Sequence, residues 1–84
     1  MEHRNNILSQ VLRNKDTYSF EIPLILEVLN QQNFINEGDF EIAMKTYPVT
    51  RRLSSERSKV AMYLFKAANL FPEKYKKRVN QLIK

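Results

Sequence analysis

The sequence has no cysteine, one histidine, one glycine and three prolines among its 84 residues. Without cysteine there is no disulfide, no thiolate ligand and no thiol nucleophile. The single histidine, His3, cannot assemble a metal site, which needs several converging ligands. One glycine cannot build a phosphate-cradling loop, and so few glycines and prolines count against a turn-rich β protein. No apolar run approaches the roughly 18 residues of a membrane span. The start "MEHRNN" lacks the apolar region of a signal peptide. A cytoplasmic protein without a membrane partner is expected, as one domain spanning residues 1–84. No cofactor or metal is expected.

Negative charge is scarce in the second half. Residues 1–42 carry three Lys or Arg against seven Asp or Glu, a net −4, whereas residues 43–84 carry eleven against two, a net +9. Such a division gives the field a direction, so the C-terminal half should attract anions and the N-terminal half repel them.

What the chain does have is apolar spacing at helical period nearly throughout. Ile7, Leu8, Val11 and Leu12 predict one face of a helix over 2–14, which the polar "NKDTYS" then breaks. Ser19 is the expected N-cap of a second helix, with Pro23 near its start and Ile22, Leu24, Ile25, Val28 and Leu29 as its core positions. Asn36 is the expected cap of a third, carrying Phe40, Ala43, Met44 and Tyr47 at i, i+3, i+4 and i+7 and halted by Pro48. Ser54 or Ser55 caps the fourth and longest, whose buried stripe is read as Ala61, Leu64, Phe65 and Ala68 with Val60 beside it. Phe71-Pro72 opens a fifth, with Tyr75, Val79, Leu82 and Ile83 on one side. The expectation is an all-α single compact domain of four to five short helices, folding alone or as a homodimer.

No residues converge on a catalytic pattern, and the chain reads as a non-enzyme. No serine has a histidine base other than the distant His3. Glu37, Asp39 and Glu41 form the only acidic cluster, and they sit in the first turn of a predicted helix, where carboxylates stabilise the dipole.

The cations at the start of the fourth helix are the exception to this economy. In "TRRLSSERSK", Arg51, Arg52, Arg57 and Lys59 gather near a helix N-terminus, where each opposes the dipole at a cost of about 0.3–1 kcal/mol, and only Glu56 opposes them. An anion docked on the free N–H groups and arginine forks would offset that cost. The segment "PVTRRLSSERSKVAMYL" resembles the helix-turn-helix of DNA-binding regulators. The resemblance covers residues 48–66 and implies a short first helix over 49–53 leading through a tight turn to a recognition helix, with Val49, Leu53, Val60 and Tyr63 at the motif's buried positions and Thr50 at its small-residue position. On a helical wheel, the face opposite the Ala61–Leu64–Phe65–Ala68 stripe carries Lys59, Tyr63 and Lys66, and in the fifth helix Lys74, Lys77 and Lys84 face outward with Arg78 on the flank. Basic side chains around an aromatic suit a nucleic-acid surface.

The leading expectation is therefore a small regulatory protein that binds nucleic acid, DNA foremost, through Arg51, Arg52, Arg57, Lys59, Tyr63, Lys66, Lys74, Lys77 and Arg78. The alternative is a helical adaptor or inhibitor that turns the same basic face on an acidic protein partner, with Phe34 or Ile35 of "QNFIN" exposed on the acidic half for a second contact.

Overall fold

The computed structural model describes residues 2–83, the side chain of Glu2 excepted. Among them are five α-helices and no strand: α1 (Glu2–Arg13), α2 (Glu21–Gln31), α3 (Glu37–Thr46), α4 (Ser55–Leu70) and α5 (Lys77–Leu82). A 3-10 turn, Tyr47–Val49, follows α3, and a π-helical turn, Pro72–Lys76, runs directly into α5. The radius of gyration, 11.8 Å, is close to the roughly 12 Å expected of a compact chain of this length. The protein is an all-α compact domain, as its sequence led one to expect.

The ends of the helices follow from local chemistry. Asn36 caps α3, its side chain accepting from the Asp39 N–H at 2.9 Å. Ser54 caps α4 in the same way, accepting from the Arg57 N–H at 3.1 Å. Helix α2 stops in a Schellman motif: Asn33 takes the left-handed conformation (φ 56), the Phe34 N–H reaches Leu29 O and the Asn33 N–H reaches Asn30 O. Its start differs from expectation. The N-cap is Phe20, without a side-chain cap, because the chain enters α2 through a turn in which the Glu21 N–H bonds Tyr18 O and Ser19 contributes only its carbonyl.

Helix α4 runs through the centre and packs on α2, α3, α5 and both short turns, most extensively on α2. One cluster forms the core: Leu12 from α1; Ile25, Leu26 and Leu29 from α2; Phe40 and Ala43 from α3; Val60, Tyr63, Leu64 and Ala67 from α4; Tyr75 and Val79 from the C-terminal segment. Phe40 and Tyr75 stack at its heart, with ring centroids 3.9 Å apart. The π turn, which holds Tyr75, begins at Pro72, whose missing N–H is no loss at a helix start.

The inward faces of three helices depart from expectation, and in α2 Leu24, read as core, is exposed while Leu26 is fully buried beside Ile25 and Leu29. In α4 the buried stripe is Val60–Tyr63–Leu64–Ala67, one position earlier than read, so Phe65 is 50% exposed and Tyr63 fully buried. Both sets fit i, i+3, i+4, i+7, and packing against α2 and α3 selects the one that can bury a tyrosine. In α1 the buried residues are Asn5, Ser9 and Leu12, with Leu8 partly buried, while Ile7 and Val11 are exposed. Ser9 goes inside because a buried carboxylate waits for it. Phe34 and Ile35 are not exposed either; both pack against the core.

Candidate functional site

The start of α4 is where the sequence concentrates cations, and the structure gives it a definite shape. Thr50 closes the 3-10 turn, its hydroxyl donating to Tyr47 O at 2.6 Å, and the chain then leaves in extended conformation. Arg51 O receives the Ser54 hydroxyl at 2.7 Å. Between them Leu53 sits at φ 66, a left-handed conformation in which an L-residue's Cβ is crowded, and its side chain is 96% exposed. Val49, at 80%, is nearly as open.

No helix spans 49–53, then, and the helix-turn-helix reading of residues 48–66 is corrected. A positive φ at Leu53 breaks helical continuity, and Val49 and Leu53, which the motif would bury, face solvent. Val60 and Tyr63 are buried as the motif requires, but in the core of this domain.

The basic residues divide into three groups. Arg57 is part of the loop: its guanidinium lies 4.2 Å from the Tyr47 ring centroid and donates to Thr50 O at 3.4 Å. Lys59, Lys74 and Arg78 pair with acids of the first half. Lys59 Nζ lies 3.9 Å from Glu27, Lys74 Nζ 3.7 Å from Glu37, and Arg78 holds Glu41 with two hydrogen bonds of 2.6 and 2.8 Å. Arg51, Arg52, Lys66 and Lys77 belong to no ion pair among the described residues, and Arg51, Arg52 and Lys77 are exposed. Lys84 lies outside the described residues. Tyr63 is removed from the surface altogether: burial pushes its phenol well above the ordinary tyrosine value.

The three clustered acids part company in space. Glu37 and Glu41 turn to Lys74 and Arg78, and the Arg78 hydrogen bonds hold the Glu41 carboxyl below its ordinary range. Asp39 turns inward and is fully buried. It accepts from the Ser9 hydroxyl at 2.7 Å and from the Asn36 amide at 2.9 Å, with Arg13 Nε 3.6 Å away. Gly38 leaves room for the Arg13 stem, which passes 3.1 Å from where a Cβ would stand. Burial outweighs these donors and raises the Asp39 carboxyl above its ordinary value. This network ties α1 to α3; nothing in the residues near Asp39 points to it beyond the dipole role.

One open apolar surface is the outer face of α4. Met62 and Phe65, 55% and 50% exposed, lie along it beyond the Val49–Leu53 loop. Near its start a shallow hollow is lined by Tyr47, Arg52, Leu53, Ser54 and Arg57. Helical period alone places Phe65 inside, because the register that buries it and the one that exposes it share Leu64 and the same spacing. No protein-family model, no curated protein and no solved structure matches the chain.

Proposed function

We propose that the protein is a non-catalytic helical adaptor of the cytoplasm that docks an acidic protein partner on the edge formed by the Val49–Leu53 loop and the start of α4. The observation that carries this is the setting of Leu53. It is almost wholly exposed, held in a strained conformation, and flanked by Arg51 and Arg52, which have no ion-pair partner among the described residues. An exposed leucine between arginines suits a protein surface, where apolar area is desolvated and arginine forks meet carboxylates. Strain of this kind persists only where its surroundings enforce it, and it concentrates at functional sites.

Nucleic acid is the second reading. It is favoured by the exposed cations Arg51, Arg52 and Lys77, which have no carboxylate partner among the described residues. Against it stands the internal pairing of Lys59, Lys74 and Arg78, whose phosphate contacts would each require an ion pair to open.

A titration of the isotope-labelled chain separates the two. A peptide pool of glutamate, aspartate and leucine should shift the amides of Thr50–Lys59, and excess mixed-sequence duplex DNA should leave those shifts in place. If the duplex displaces the peptides and shifts the same amides, nucleic acid is the partner.

A further inference from the structure

The cations and the apolar side chains of α4 extend past its first turns, to a part of the surface that the loop does not reach. Phe65 stands between two hollows. One, of about 480 Å³, is bordered by Asn30, Met62 and Lys66. The other, of about 410 Å³, is bordered by Ala68, Pro72 and Lys76. Asn69 lines both, and a third hollow continues from Pro72 past Lys76 to Lys77. Together they make one shallow trough crossing the outer face of α4 from the end of α2 to the C-terminal segment.

The chemistry of the trough is one-sided. Its floor is apolar at Met62, Phe65 and Pro72. Its charged borders are all lysines, and no carboxylate lines any of the three hollows. None of Lys66, Lys76 and Lys77 takes part in an ion pair among the described residues. The acids of the first half, which neutralise Lys59, Lys74 and Arg78, leave these three alone. Asn30 at one border is buried, and its Oδ1 has no hydrogen-bond partner.

We infer that this trough receives an acidic amphipathic helix of the partner protein, its apolar face over Phe65 and its carboxylates over Lys66 and Lys76. The occupant is acidic because the trough offers only positive charge. It is helical because no strand among the described residues offers an edge for an extended segment, which leaves a helix laid in a groove, anchored at i, i+3, i+4 and i+7, as the fitting mode. Hollows on both sides of one exposed ring suit two successive anchors. The inference rests on the adaptor reading and adds to it a second contact ground, distinct from the Arg51–Leu53 edge.

The test uses a synthetic amphipathic peptide of about 18 residues, five helical turns, with leucine and phenylalanine on one face and glutamate on the other, alongside a scrambled peptide of the same composition. Titrated into the isotope-labelled full chain, the amphipathic peptide should shift the amides of Met62, Phe65, Asn69 and Lys76 saturably, and the scrambled one should not. Phe65→Ser, an exposed change that leaves the core intact, should weaken binding about tenfold or more, as loss of a central aromatic anchor does. Lys66→Glu with Lys76→Glu should weaken it similarly, and a peptide carrying lysine for glutamate should recover the loss. Equal binding of the scrambled peptide, no effect of Phe65→Ser, or no recovery by the charge-swapped peptide overturns the inference. Shifts confined to Thr50–Lys59 overturn it too, yet leave the adaptor reading standing. Displacement of the peptide by duplex DNA from both regions removes the two together.

Discussion

Arg78 grips Glu41 across 37 positions of sequence, with two parallel hydrogen bonds of 2.6 and 2.8 Å, and its guanidinium lies 5.1 Å from the centroid of the Phe40 ring. The contact fastens α5 to α3 over the Phe40–Tyr75 stack. Both side chains are substantially exposed, so the pair should contribute no more than about 1 kcal/mol, measured as the coupling in a double-mutant cycle of Arg78→Gln and Glu41→Gln. The Glu41 carboxyl is held below its ordinary value. Its contribution is therefore present above the unfolded-state carboxylate value and lost as pH falls through the lowered one. Urea unfolding across an acid series should show the coupling vanish at the acid end.

Asp39 should behave in the opposite sense. Its carboxyl is raised by burial, so between the unfolded value and the raised one the folded chain holds the extra proton. Its contribution is full below the unfolded value and lost as pH rises through the folded one. Relative to Asp39→Asn, which cannot titrate, the parent should therefore gain stability as pH is lowered from neutral toward 4. A parallel pH dependence of the two would show that Asp39 titrates as it does in the unfolded chain. Ser9→Ala, which removes one donor to this buried carboxylate, should cost about 1–3 kcal/mol at neutral pH.

Tyr63 and Phe65 should exchange the roles their sequence pattern assigns them. Tyr63→Ala empties the core and should cost about 3–5 kcal/mol, enough to unfold a domain of modest stability. Phe65→Ala should change stability by roughly 0.5 kcal/mol, as surface substitutions do. The Tyr63 hydroxyl is buried without a well-formed hydrogen bond, so Tyr63→Phe should leave the melting temperature unchanged or higher. Thermal melts of the three variants decide the register of α4.

At Leu53 the fold and the proposed function pull apart. Asparagine tolerates a left-handed backbone better than leucine does, and Leu53 buries almost nothing here. Leu53→Asn should leave stability equal or slightly higher while weakening the acidic peptide pool. A destabilised Leu53→Asn variant would mean that the side chain supports the loop after all.

The arginines of the same loop separate in the same experiment. Arg51→Gln and Arg52→Gln should leave the fold untouched. Arg57→Gln should lower stability by about 0.5–1 kcal/mol, because its guanidinium rests on the Tyr47 ring and closes the turn.

The helices themselves were legible because their signals are local. Asn36 and Ser54 cap as expected, Pro48 ends α3, and the run at Asn33 closes α2. Which side of a helix faces inward is not local. In α4 two stripes share one period, and the choice between them lies in what α2 and α3 present. In α1 the buried Asn5 and Ser9 look like surface residues until Asp39 is placed opposite. Of the expected site, Arg51, Arg52, Lys66 and Lys77 have no ion-pair partner among the described residues, and Lys59, Lys74 and Arg78 do. That difference is set by contacts between residues more than thirty positions apart, which no window along the chain contains.

Three of the ion pairs join an acid of the first half to a cation of the second: Glu27 to Lys59, Glu37 to Lys74 and Glu41 to Arg78. The two blocks of charge that make these pairs exist before the chain folds. An unfolded chain with a negative block tethered to a positive one contracts at low ionic strength, because the blocks attract over a screening length of about 10 Å at 0.1 M salt. The denatured ensemble then already holds part of the attraction that the folded ion pairs display, and that part cancels from the free energy of folding. What the segregation supplies instead is direction during collapse, drawing the α3 segment toward the C-terminal turn where Phe40 will meet Tyr75.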